Sequence, residues 1–378
     1  MSNSPRKWDH HWLPIFETLI SISMLCFGGS SALYGQDERY NHPELHWKVL
    51  TTEHFQVVYH TEAEWTARKI AAIAEQVWEP ITELYHYRPE GKVFIIVRDH
   101  DDFSNGATYY YQQKIEIWAT PLDFELRGNH HWLTDVVTHE FTHLVQLGAS
   151  RKGPRNLPNL YLQSISYEPE RRPDVLYGYP NRLISFPIMG TVIPMWFAEG
   201  VCQYGTQTST HDWWDSHRDM FLRVRAVEDQ LLTLNQMEVF GKNTLESELV
   251  YCQGFSLVKF IAQKWGDETL RNLSVAMRSP LMWDFSQACR KVLGISDRQL
   301  YQMWKNETQS QYLQGISPLR DHRIEGETIS ANGNFNLYPR WSPNGKQIAF
   351  ISNQGKDYLS QASLTMYQID KKHLVSIP

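Results

Sequence analysis

The sequence predicts an α+β protein, and three observations carry that prediction. Apolar alternation is concentrated in the first third, helical apolar spacing takes over from about residue 132, and a turn-rich, strand-like stretch closes the chain. With 378 residues, 42% of them hydrophobic, there is material for one large domain or two smaller ones. The 36 Lys and Arg stand against 42 Asp and Glu, giving a net charge of -6 with no basic run, which argues against a nucleic-acid partner.

Residues 1–35 read as an export signal: Arg6 and Lys7 lead, residues 18–27 are apolar, and small residues occupy 28–32. A mature chain would begin near Leu33 or Gln36. The apolar stretch falls well short of the roughly 20 residues that span a bilayer, and no other stretch is long enough, so no membrane span is expected in the mature chain. Leu25 before Cys26 argues against a lipid anchor. Cleavage would leave Cys202, Cys252 and Cys289, so at most one disulfide is possible: either Cys202 pairs with Cys252, or all three are buried thiols.

Residues 55–60 (FQVVYH) alternate as a strand does. Residues 62–87 carry the helical spacing Ala63, Ala67, Ile70, Ile73, Val77 and Ile81, with Pro80 placed to kink or end the helix. Residues 92–97 (KVFIIV) form a buried strand, and residues 114–120 (KIEIWAT) alternate like an edge strand with one wet face. A helix over 132–147 ends at Gly148. The six prolines between Arg151 and Thr191 then predict an irregular insertion. A short helix follows from Pro194 to Tyr204, capped by Gly205. Further helices are expected over 212–232, 245–265, 268–278 and 297–313, the last opened by Ser296 and Gln299 in capping-box spacing. Beyond a boundary near Asp321, Asn344-Gly345 between apolar runs predicts a hairpin over 340–352, with two more short strands over 362–369 and 373–377.

The chemistry concentrates in His139-Glu140-Phe141-Thr142-His143. On a helix the two imidazoles lie about 40° apart and can face one metal ion, while Glu140 lies about 100° round from His139, within reach of a metal-activated water. The bland alternative is a helix with two surface histidines. Against it, Leu133, Val136, Val137, Leu144 and Leu147 give this helix an apolar stripe beside the histidines. A catalytic zinc needs a third protein ligand, and Glu199 in Met195-Trp196-Phe197-Ala198-Glu199-Gly200 is the leading candidate. His211, Asp212, Asp215 and His217 form a rival set that also reads as a solvated helical face.

HEFTH followed by WFAEG resembles the gluzincin metallopeptidases, in particular the bacterial exported peptidase MA-like group, over about residues 47–304. The resemblance implies a zincin-type catalytic domain: a mixed sheet, the HExxH helix and then a helical subdomain. It implies one Zn2+ per chain, held by His139, His143 and Glu199, with Glu140 as general base. It also implies that the edge strand before the HExxH helix, residues 115–118, aligns substrate backbone, unless that strand is an ordinary edge. Tyr251 in VYCQG matches a phenol that donates to the developing oxyanion, or else it packs in the core, and Gly254 in the same stretch allows close helix contact. Two features depart from the pattern. Gln203 stands where some members carry an Asp that orients a ligand His, with Asp135 either a substitute or simply a favourable charge early in its helix, and the Pro-rich insertion separates His143 from Glu199.

Residues 338–346 (YPRWSPNGK) with Ile348-Ala349-Phe350 resemble one blade of a TolB-like β-propeller. One blade cannot close a ring, so the expectation is a fragment of a longer protein, or else an appendage on the peptidase domain. The organisation expected is a signal peptide over 1–35, a metallopeptidase domain over 36–320 and a partial propeller over 321–378. The function expected is hydrolysis of peptide or protein substrate in the periplasm or outside the cell. Two rival functions remain: a non-catalytic binding module docking a protein partner through the propeller, and an aminopeptidase, although no GxMEN-like motif precedes His139.

Overall fold

The computed structural model describes residues 42–100, 103–122, 131–154, 161–167, 180–187, 190–208, 216–238, 240, 244–320, 322, 324–333, 335–354 and 362–377. The chain divides into two compact units, residues 1–46 and 47–378. The export signal expected over residues 1–35 lies outside the described residues. All the described strands and helices belong to the second unit.

Its sheet has the order β1-β2-β3-β5-β4: β1 Trp47–Thr51, β2 Phe55–His60, β3 Val93–Arg98, β5 Lys114–Trp118 and β4 Gly106–Tyr109. β2, β3 and β5 run parallel, and β1 and β4 flank them antiparallel. Parallel β2 and β3 need a crossover, supplied by α1, Glu64–Tyr85. Pro80 does not end this helix. Both Pro80 and Gln76, whose carbonyl the proline leaves unbonded, are exposed, so water can satisfy that carbonyl while Ile81 and Tyr85 continue the buried stripe. His86, in the left-handed region at φ 50°, caps the end.

The core of this half joins Phe55, Ile95 and Ile115 of the sheet to α1 and to α2, Trp132–Ser150. Phe141 of α2 stacks on Trp78 of α1 at 5.3 Å and meets Phe55 edge-on at 5.4 Å. Trp132 Nε1 donates to the Trp118 carbonyl at 2.8 Å, fixing the start of α2 to the end of β5.

Between α2 and the next helix, the expected irregular insertion contains a hairpin: β6 Tyr161–Tyr167 pairs antiparallel with β7 Pro180–Pro187. Two of the six prolines stand at the two ends of β7 and the other four lie outside both strands, so none breaks the ladder from within. Helices α3 Met195–Thr208, α4 Ser216–Val227, α5 Thr244–Trp265, α6 Glu268–Ala276, α7 Phe285–Leu293 and α8 Asp297–Arg320 build the second half. α3 continues through Gly205 instead of stopping there. α8 opens with the expected capping box: Gln299 N–H donates to Ser296 Oγ at 3.2 Å, and Ser296 N–H to Gln299 Oε1 at 2.9 Å.

Two devices tie this half together. Gly200 of α3 and Gly254 of α5 face each other, so close that a Cβ on either would lie 2.4 Å from a backbone oxygen of the other helix. Lys152, just past α2, donates to the carbonyls of Met277, Ser279 and Met282 at 2.7, 3.3 and 2.7 Å, and burial lowers its pKa. Cys202, Cys252 and Cys289 are buried free thiols, so the Cys202–Cys252 bridge does not form.

After α8, β8 Asn336–Trp341, β9 Gln347–Ser352, β10 Ser363–Gln368 and β11 His373–Ile377 form a four-stranded antiparallel meander, with Gly345 at φ 69° in the β8–β9 turn. No helix among the described residues is long and apolar enough to cross a membrane.

Candidate metal centre and cleft

The three residues read as ligands meet on facing helices. His139 and His143 lie one turn apart on α2, and Glu199 projects from α3 against them. Glu199 Oε2 is 3.0 Å from His139 Nε2 and 3.2 Å from His143 Nε2, and the two Nε2 atoms are 3.1 Å apart. Donors sharing one tetrahedral ion at about 2.0–2.1 Å lie roughly 3.3 Å from each other, so this donor set fits a zinc ion. The rival donors His211, Asp212 and Asp215 lie outside the described residues, and His217 is exposed on α4.

Burial alone would raise the Glu199 carboxyl, but His143 and His139, through charge and hydrogen bonds, outweigh it and hold the group far below the ordinary carboxylate range. Burial disfavours a charged His143, yet Cys202 and Glu199 beside it raise its pKa well above the usual value. Glu199 is therefore an ionised donor at neutral pH.

Cys202 is a donor that the sequence reading left unassigned. It lies three residues beyond Glu199, on the same helical face, and its sulfur joins the donor atoms of His139 and His143 in a cluster within 4.8 Å. Burial first, and then the carboxylates of Glu199 and Glu140, push its thiol up to about 11 against the opposing pull of His143. At neutral pH the carboxylate, not the thiol, is the ready anionic ligand. The helical spacing of Glu199 and Cys202 was the available sequence signal.

The donors open on a cleft of about 380 Å³ whose wall includes Gly106, Thr108, Glu140, Arg218 and Tyr251, with Asp135 and Gln203 also lining it. The Tyr251 ring stacks on Phe240 at 5.2 Å and lies 6.5 Å from the His139 ring. One expectation is overturned here. Residues 115–118 are not a sheet edge, because β5 is paired on both sides, by β3 and β4. Among the described residues the edge on this side of the sheet is β4, and it borders the cleft. Thr108 Oγ1 lies 2.7 Å from the Glu140 carbonyl oxygen and 2.8 Å from Glu140 Oε2, while a Cβ on Gly106 would sit 2.5 Å from Glu140 Oε1. Sequence reasoning missed both residues, since four residues reading Gly-Ala-Thr-Tyr give no apolar alternation.

No protein-family model matches the sequence, and neither does any curated protein. Among solved structures, the chain is similar to the crystal structure of an aminopeptidase N family protein from Idiomarina loihiensis, at 12% identity and a TM-score of 0.35. The match covers 88% of this chain and 66% of that one, so the chain spans just under two thirds of its length.

Proposed function

We propose that this chain is an exported zinc-dependent peptidase of the gluzincin type, acting on peptide or protein substrate. One observation supports the reading above all: Nε2 of His139, Nε2 of His143 and Oε2 of Glu199 converge within 3.0 to 3.2 Å in a cleft that also holds the Glu140 carboxylate. Zn2+, one per chain, would be held by those three residues and supplies Lewis acidity and a water whose pKa falls towards about 7.

The chain's own groups do the rest. The Glu140 carboxylate takes a proton from the attacking water and delivers it to the nitrogen of the leaving amine. The Tyr251 hydroxyl donates to the scissile carbonyl oxygen as negative charge develops there. The outer edge of β4, and not β5, aligns an extended substrate backbone by strand addition.

The test is zinc content by elemental analysis beside cleavage of a mixed peptide library, for wild type, Glu199→Ala and Glu140→Gln. About one zinc per chain, lost in Glu199→Ala and kept in an inactive Glu140→Gln, is the expected result. Metal retained without Glu199 would sink the ligand set. Zinc in a wild type that cleaves nothing would turn the reading towards a binding module.

A further inference from the structure

The edge strand beside the cleft does more than border it. β4 pairs with β5 in the register Gly106↔Ile117, Ala107↔Glu116 and Thr108↔Ile115, and Trp118 N–H donates to the Asn105 carbonyl at 3.1 Å. In an antiparallel ladder hydrogen-bonded pairs alternate, so Asn105, Ala107 and Tyr109 spend their backbone groups on β5, whereas those of Gly106 and Thr108 point to the open side. The Gly106 N–H is already taken by Asn105 Oδ1 at 2.9 Å. The outward groups at the centre of the edge are therefore the Gly106 carbonyl and both backbone groups of Thr108.

The Thr108 side chain projects from the face of the sheet, to Glu140. Its hydroxyl has one proton and two acceptors in range, and the charged carboxylate is the stronger of them. Across from it, the bare Cα of Gly106 leaves room that a Cβ would take from Glu140 Oε1. The carboxylate is thus gripped between two residues of the same strand.

We propose that Thr108 is a positioning residue for Glu140. Its hydroxyl fixes one carboxylate oxygen and leaves the other for the attacking water, so the residue whose backbone receives the substrate also sets the base. This rests on reading Glu140 as the base of a peptidase.

The test compares wild type, Thr108→Val and Thr108→Ser. Zinc content, melting temperature, and kcat and KM are measured on a peptide that the wild type selects from a mixed library. Thr108→Val is expected to keep its zinc and its KM within about twofold while kcat falls about 10- to 100-fold. Thr108→Ser is expected to recover to within about threefold. If Thr108→Val does not fold, Thr108→Ala replaces it in the same comparison. A kcat within about twofold of wild type, a loss confined to KM, or no rescue by serine would overturn the proposal. A wild type without zinc or cleavage would overturn the peptidase reading itself, and that result is in hand before any variant is compared.

Discussion

Replacing Gly200 by alanine is expected to loosen the helical half of the domain and the candidate metal centre together. A Cβ on Gly200 would lie 2.4 Å from the Gly254 carbonyl oxygen, where ordinary contact begins near 3.4 Å, so α3 and α5 must part by about 1 Å (3.4 − 2.4). The obstacle is backbone, and no rotamer change relieves it. Alanine gains about 1 kcal/mol in helix propensity over glycine. Overpacking costs about 1–3 kcal/mol, and an unyielding neighbour places this case near the top of that range. The net loss is about 2 kcal/mol, which in a domain of this size lowers the melting temperature by about 4 °C. Because Glu199 is the adjacent residue, the same displacement shifts its carboxylate out of register with the two histidines, and zinc affinity is expected to fall about 10- to 100-fold. The assay is thermal unfolding by circular dichroism, paired with zinc titration against a competing chelator. A melting temperature at or above that of wild type, with unchanged affinity, would show that propensity dominates and that the crossing is not tight.

Gly106→Ala places a methyl group against Glu140 Oε1 and Val136 Cγ2, and is expected to keep its zinc while peptide cleavage falls about 100-fold. Elemental analysis and kcat on one sample check this, and undiminished cleavage would contradict it. Glu116→Gln addresses the sheet. Burial opposes ionisation of Glu116, but Lys114 and Arg98, each 2.8 Å away, outweigh it and lower its pKa from 4.5. A lowered folded pKa stabilises above the unfolded value and is lost as pH falls through the folded one. Glu116→Gln is therefore expected to be less stable than wild type at pH 7, with the difference closing below pH 4.5 in urea titrations.

The helices bearing the candidate ligands were legible because their information is local. Helical spacing alone puts His139 and His143 on one face, and Gly254 was readable as a point of close helix contact, which the α3–α5 crossing then showed. Sheet order was not legible in the same way. Residues 114–118 have the composition of a strand, but whether that strand is an edge depends on β4 folding back across it, through a turn where Gln113 takes φ 49° without any glycine or asparagine to announce it. The contact between Thr108 and Glu140 spans residues far apart in sequence and follows from that same pairing. Other omissions did leave signals. α7 has Asp284 accepting from Gln287 N–H at its start and Gly294 at φ 77° at its end, both readable as caps around a short amphipathic stretch. The hairpin of β6 and β7 was hidden by counting prolines without asking where along a strand each would fall.

Lys152 sets a lower bound on how far the domain can be trimmed. The residues of the candidate centre end with Tyr251, yet an ammonium just past α2 depends on carbonyls at Met277, Ser279 and Met282. A chain cut back to its motif-bearing helices would lose all three carbonyl acceptors, and with them the contact that ties the end of α2 to the segment after α6. Any piece meant to carry the centre therefore extends at least through Met282, and Phe285, which packs on Trp196 and Phe197 of α3, carries that requirement into α7.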